Sequence, residues 1–191
     1  MELVFATNNA NKLEEVQAVI GPQIRLKTLD EIGCQEDIPE TGNTFQDNAA
    51  QKSQYLLDHY RRDGFADDSG LEVYALNGEP GVISARYSGS RDMEQNMALL
   101  LQKLEGQTDR RACFRTVISL RLNGEHHLFE GRVEGRILHE QVGNKGFGYD
   151  PLFVPDGYDR TFAEMEMNEK TAISHRTRAV NLMAEFLSSV R

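Results

Sequence analysis

Residues 112–138 read ACFRTVISLRLNGEHHLFEGRVEGRIL. In the first half Phe114, Thr116, Ile118, Leu120 and Leu122 alternate with Arg115, Ser119 and Arg121, a period of two that fits a strand. Asn123-Gly124 follows, a dipeptide suited to a two-residue hairpin turn. HHLFEGRVEGRIL then returns as a second long strand. The middle of the chain is therefore expected to be a long hairpin. Upstream, the apolar run ELVFA (residues 2–6) meets polar TNNAN and then KLEEVQAVIG, where Leu13, Val16, Val19 and Ile20 share one helical face. Glu14 and Glu15 are expected in the first turn, with Gly21 at the end. Strand, tight polar loop and helix start aim backbone amides at one point, where an anion is favoured.

Working outward, a second strand is expected over Ile24–Leu29 and a loop over IPETGNT. A long helix should start near Asn43 or Thr44, both good N-caps, and run to a break at Gly64. Its apolar side carries Phe45, Ala49, Leu56 and Tyr60. FADDSGLEVYAL reads as a strand interrupted by Asp67-Asp68-Ser69-Gly70. Asp92 with Gln95 caps a helix bearing Met97, Leu100, Leu101 and Leu104. NKGFGYDPLFVPDGYD is loop-rich, and Ser174 caps a last helix carrying Ala179, Leu182, Met183, Phe186 and Val190. Neither a repeat nor a linker interrupts this order. Residues 1–191 are expected to form a single α/β domain: an elongated mixed sheet with flanking helices, a long central hairpin and a substrate groove.

Composition narrows the function classes. Lys and Arg total 21 against 30 Asp and Glu, a net charge of −9. That balance argues against a nucleic-acid polymer as partner. It leaves room for a small anionic ligand in a locally basic cleft, and for a site holding a divalent cation. Cys34 and Cys113 form no CxxC pair and suit reduced thiols in a cytoplasmic protein. No segment has the length and apolarity of a signal peptide or a membrane span, so no membrane partner is expected.

Several clusters could carry chemistry. In Asp67-Asp68-Ser69-Gly70 the two carboxylates face opposite sides of a strand; such a pair suits Mg²⁺ or general-base work, and equally an ordinary acidic turn. Glu40-Thr41-Gly42-Asn43 lies beside a helix start and suits either metal binding or simple support of the helix dipole. Thr7, Asn8 and Asn9 offer hydroxyl, amide and backbone donors to a phosphate, and Lys12 follows them. No Walker A loop and no dinucleotide fingerprint occurs. Phe147 and Tyr149, in Gly146-Phe147-Gly148-Tyr149-Asp150-Pro151, could stack on a base or pack in the core. Ser174-His175-Arg176 places cationic residues at a helix start, where the dipole disfavours them; a ligand there would explain the choice, as would a surface cap.

Taken together, ATNNANKLEEV, ETGNTFQDNAAQK, ADDSGLEVYALNGEPGVISARYSG, GFGYDPLFVPDGYDRTFAEM and EKTAISHRTRA, in this order, resemble the inosine triphosphate pyrophosphatase family. These are XTP/dITP diphosphatases, which hydrolyse non-standard purine nucleoside triphosphates. The resemblance spans nearly the whole chain. It implies an α/β fold with a long groove, a homodimer, Mg²⁺, and cleavage to monophosphate and pyrophosphate. By position it implies that the loop of Thr7, Asn8, Asn9, Ala10 and Asn11, with Lys12, holds phosphates. Glu40 and Asp68 would organise the metal, and Asp68 would accept the proton. Lys52 and Ser69 would contact the phosphate chain. Phe147 would stack on the base, with Gly148, Tyr149 and Asp150 beside it. Lys170, His175 and Arg176 would close over base and sugar. An arginine guanidinium only donates, so Arg176 facing purine C6 would favour a 6-oxo base. Two departures stand out: Asn8 replaces a common glycine, and Lys145 precedes the aromatic loop where many members have glycine. Two other readings remain open at this level, a nucleotide-binding regulatory module without hydrolysis and a related pyrophosphatase acting on other nucleotides.

Overall fold

The computed structural model describes residues 1–190. Its strands are β1 (Glu2–Phe5), β2 (Arg25–Lys27), β3 (Gly64–Val73), β4 (Arg111–Leu122), β5 (Glu125–Ile137) and β6 (Phe153–Pro155). Its α-helices are α1 (Ala10–Val19), α2 (Phe45–Tyr60), α3 (Met93–Lys103), α4 (Met167–Ile173) and α5 (His175–Ser189). The strands form one sheet in the order β2-β1-β3-β4-β5-β6. β1 runs parallel to both β2 and β3, while β5 and β6 are antiparallel. The fold is thus a mixed α/β sheet flanked by helices.

The expected hairpin forms between β4 and β5. Asn123 and Gly124 both take positive φ, 51° and 84°, as a tight turn matched to strand twist requires. β1 explains its own apolar run. Leu3 and Phe5 enter one core cluster with Val16, Ile118 and Met183, whereas Val4 and Ala6 enter another with Leu29 and Leu56. Alternate residues point to opposite faces, and both faces are covered, as is usual for a strand with parallel neighbours.

The chain divides into two compact units. The first comprises Met1–Asp68, Thr116–Gly131 and Arg176 onward; the second comprises Ser69–Arg115 and Arg132–His175. The two clusters around β1 belong to the first unit. The second unit has its own core, including Leu71, Met97, Leu100, Phe114, Phe153 and Phe162. The strand segments Gly64–Asp68 and Ser69–Val73 of β3 fall in different units, so the Asp68–Ser69 bond is one of the places where the chain passes from one to the other.

Five elements differ from expectation. α1 starts at Ala10, because the Asn9 side chain caps it by accepting from the amides of Asn11 and Lys12. Glu14 and Glu15 therefore lie beyond its first turn, and Glu15 is buried. α2 stops at Tyr60, with Arg61 in the left-handed region, and Gly64 opens β3 rather than ending the helix. β3 runs unbroken through Asp67–Gly70. α4 is an additional short helix, entered through a reciprocal capping box between Glu166 and Glu169. β2 covers only the centre of the expected Ile24–Leu29 strand.

Candidate active site

In the first unit, charged side chains that the sequence scatters from Lys12 to Arg176 gather around the end of β1 and the start of β3. Lys12 Nζ lies 3.1 Å from both carboxylate oxygens of Asp67. Lys52, on α2, donates to Glu40 Oε1 at 2.5 Å and to the Asp67 carbonyl at 2.6 Å. Arg176, at the start of α5, donates through Nε to Asp67 Oδ2 at 3.4 Å and through Nη1 to Glu15. Asp67 is 1% exposed and Arg176 2% exposed. Burial alone would raise the Asp67 pKa, but Lys12, Arg176 and Lys52 outweigh it and hold the carboxyl well below the usual range. Burial pulls the Lys12 ammonium down, and Lys52 and Arg176 add repulsion. Lys52 goes the other way: Asp67 and Glu40 overcome its burial and raise it.

Asp68 points to the other side of β3 and has a different environment. Burial is the largest influence on it and outweighs Lys52 and Lys12, so its pKa is raised to about 6. Asn48 Nδ2 donates to Asp68 Oδ2 at 3.0 Å. Adjacent carboxylates are thus tuned apart: Asp67 is held ionised, while Asp68 is poised near neutrality, where a general base is effective. Among the described residues no group of three or more His, Cys, Asp or Glu side chains is arranged to hold a metal ion. Glu40 and Asp68, which influence each other electrostatically, supply two carboxylates. Mg²⁺ is ordinarily held by one or two carboxylates, with water and substrate phosphates completing its shell, so this donor set fits Mg²⁺ arriving with a nucleotide.

The second unit presents an aromatic loop. Asp150, 3% exposed, accepts from the Phe147 amide at 3.0 Å and from Lys170 Nζ at 2.7 Å. Gly146 takes φ +71°, and a side chain there would meet Asp150 Oδ2 at 2.1 Å, so only glycine lets the carboxylate reach across the turn. Lys170 Nζ also lies 4.8 Å from the Phe147 ring centroid, a cation–π contact. Tyr149 is buried and donates to the Ser84 carbonyl at 2.7 Å; its role is anchoring the loop to the core. The Gly148 amide approaches Met93 Sδ at 3.0 Å. His175 is buried and stacks on Phe114 at 4.9 Å between ring centroids. Ser69 is half-buried.

The sequence-predicted residues therefore fall into two sets. Thr7, Asn9, Lys12, Glu40, Lys52, Asp68 and Arg176 belong to the first unit, as do Asn8, Ala10 and Asn11, which are exposed. Phe147, Gly148, Tyr149, Asp150, Lys170, His175 and Ser69 belong to the second. The Arg176 guanidinium, expected to face a base, donates here to Glu15 and Asp67. Asn9 Oδ1 is taken up as the α1 cap, which leaves its Nδ2 as the side-chain donor. Asn8 needs no glycine-like backbone, since the non-glycine residues with positive φ are Arg61, Asn77 and Asn123. Lys145 pairs with Glu166. Sequence reasoning missed Glu15, Asn48 and the separate role of Asp67. For Glu15 a signal existed, an acidic residue beside Val16 on a helix with an apolar face. For Asp67 the strand alternation already placed it opposite Asp68.

Comparison with known proteins places the chain in a family. The profile of the Ham1 family matches residues 3–186. A dITP/XTP pyrophosphatase of Flavobacterium psychrophilum is 49% identical over 190 residues, covering 99% of this chain and 100% of its own. That of Christiangramia forsetii is 51% identical over 189 residues, covering 98% and 100%. The solved structure of the Staphylococcus aureus Ham1 protein superposes with a TM-score of 0.92 at 42% identity, covering all of both chains. A HAM1 protein from Coxiella burnetii gives 0.91 at 37% identity, covering 99% of each. With a full-length profile match, close relatives at about half identity and the same fold, the chain belongs to the Ham1 family.

Proposed function

We propose that the protein hydrolyses non-standard purine nucleoside triphosphates, namely ITP, dITP and XTP, to the monophosphate and pyrophosphate, and so cleanses the nucleotide pool. The observation that carries this reading is the split pair on β3, with Asp67 held ionised by Lys12 and Arg176 and Asp68 raised to about 6. A binding module has no need of a carboxylate poised as a base. The relatives named dITP/XTP pyrophosphatase supply the substrate class.

In the proposed reaction Asp68 accepts a proton from the water that attacks the α-phosphorus. Lys12 and Lys52 shift from their carboxylate partners toward the triphosphate and stabilise the leaving pyrophosphate. Thr7 and the Asn8–Asn11 loop orient the phosphates, with Ser69 following Asp68 along the chain. Glu40 and Asp68 would hold Mg²⁺, which when bound neutralises phosphate charge and polarises the phosphoryl group. Phe147 stacks on the base, and Lys170, already over that ring, is a donor for a 6-oxo group, with His175 on the same unit. Arg176 supports Asp67 from behind and acts on turnover by positioning. A homodimer and a cytoplasmic location complete the proposal; no helix among the described residues is long and apolar enough to cross a membrane.

The test is product identity. With ITP and Mg²⁺ in ¹⁸O-water, phosphorus NMR should show inosine monophosphate carrying the label and unlabelled pyrophosphate. Orthophosphate with inosine diphosphate would mean attack at the γ-phosphorus and another reaction. No turnover of ITP, dITP or XTP, with retained binding, would mark a regulatory module.

A further inference from the structure

We infer that Asn48 is a positioning residue for the reaction, a neutral strut that holds the Glu40 loop in register with Asp68. This rests on the roles proposed above for those two carboxylates. Asn48 lies in the first turn of α2 and is 1% exposed. Its Oδ1 accepts from the Gly42 amide at 2.7 Å, and its Nδ2 donates to Asp68 Oδ2 at 3.0 Å. The orientation follows from chemistry: a backbone N–H can only donate, so the oxygen must face Gly42, and the NH₂ is left for a carboxylate that accepts. Gly42 fits the same contact, because a side chain there would come within 2.5 Å of Asp47 Cβ and 2.9 Å of Asn48 Oδ1.

Lys52 stands one helical turn further along α2, so the two side chains project from the same face. Each joins the same two segments. Asn48 ties Gly42 to Asp68, and Lys52 ties Glu40 to the Asp67 carbonyl. Their fates differ when an anion binds. A triphosphate competes with Glu40 for the Lys52 ammonium, and that tie loosens. The carboxamide carries no charge and both its groups are engaged, so it has no reason to change partners. Asn48 therefore keeps the two carboxylates in register while Lys52 turns to the substrate. α2 can serve as the backing for both, since Phe45, Ala49 and Leu56 fix it in the core.

Two variants separate the arms. Asn48→Leu keeps the branched outline and the number of side-chain heavy atoms and removes both hydrogen bonds. Asn48→Asp keeps an acceptor for Gly42 and sets a like charge against Asp68. Both should remain folded by circular dichroism. For ITP, kcat should fall ~10–100-fold, as expected for a misplaced reacting group. KM should stay within about threefold, because groups that bind nucleotide are untouched. Amide hydrogen exchange at Gly42 gives a readout independent of activity: it should accelerate in Asn48→Leu and stay slow in Asn48→Asp. In an Asp68→Asn background, Asn48→Leu should add almost nothing to the loss. Wild-type kcat in either folded variant would overturn the inference. So would a full further loss in the Asp68→Asn background, unchanged Gly42 exchange in Asn48→Leu, or a kcat loss that disappears well below the melting temperature. If Asn48→Leu fails to fold, Asn48→Asp carries the kinetic test alone. An active Asp68→Asn enzyme would remove the proposed function of Asp68 and this inference together. An inactive one beside an active Asn48→Leu enzyme would remove only this inference.

Discussion

The two units bury polar groups in different ways. The first sinks Lys12, Lys52 and Arg176 among Glu15, Glu40, Asp67 and Asp68, with several of these side chains under a tenth exposed. The second presents Phe147 on a loop that Tyr149 anchors, and keeps a buried ion pair there, Lys170–Asp150, which fixes a turn. Burying an ion pair gains little stability over apolar packing, because desolvation consumes most of the attraction. A unit that buries several is built for something other than stability. The charges of the first suit the handling of phosphate and a proton; the aromatic loop of the second suits the flat, neutral base. The difference teaches where variants should act: on turnover in the first unit, on affinity in the second.

The largest expected effect is on turnover. Asp68→Asn keeps shape and removes the proposed base, so kcat should fall ~10²–10⁴-fold with the fold intact. Near wild-type kcat in that variant would end the assignment of chemistry to the first unit. Next, Arg176→Ala takes the guanidinium from buried Glu15 and leaves Asp67 with Lys12, and should cost about 3–5 kcal/mol in urea unfolding. If Arg176 instead reads the base, stability will be spared and the ITP-to-ATP ratio in kcat/KM will collapse.

A third effect has the opposite sign. The raised pKa of Asp68 means that the folded state binds its proton more tightly than the unfolded chain does. Stability from this group is full below the unfolded value and is lost as pH rises through about 6. Without metal, Asp68→Asn should therefore be more stable than wild type above pH 6, by up to roughly 3 kcal/mol, and equal to it near pH 3. Thermal melts across that range check the sign. Asp67, whose pKa is lowered, contributes stability above the usual carboxylate range that is lost only as pH falls below it.

In the second unit the effects should be smaller and of another kind. Phe147→Ala should raise the KM for ITP by about tenfold, the worth of one ~1–3 kcal/mol stack, with kcat largely kept. A fall in kcat at constant KM would erase the contrast between the units. Smallest is Tyr149→Phe, which removes the bond to the Ser84 carbonyl and should cost about 1 kcal/mol of stability with ITP turnover unchanged.

Much of this was legible without coordinates. The alternation over 114–122 and the Asn123-Gly124 turn set the hairpin, because strand pleat and turn dihedrals depend on adjacent residues. The Asn43-Thr44 and Asp92 helix starts were local for the same reason, since an N-cap bonds amides two or three residues on. Adjacent carboxylates on β3 facing opposite ways likewise followed from the period of two. The motifs carried the family. The first misjudgements were also local: Asn9 capped α1 ahead of the expected start at Lys12, and β3 accommodated two carboxylates without breaking, because the cations that satisfy Asp67 come from elsewhere in the chain.

Tertiary structure alone decided the partners. Lys12 meets Asp67 across 55 positions, Asn48 meets Asp68 across 20 and Arg176 meets Glu15 across 161. No spacing rule reaches that far, since each pairing depends on which strand lies beside which and on how deep each carboxylate sits. Depth then sets protonation: two aspartates adjacent in the chain have their pKa values moved in opposite directions because one is surrounded by cations and the other is mainly desolvated. The sequence by itself determined the long hairpin, the helix starts at Thr44 and Asp92 and the family, which rest on neighbours in the chain. Only the fold decided which carboxylate is held ionised and which is poised to take a proton, because that is a property of charges brought together through space.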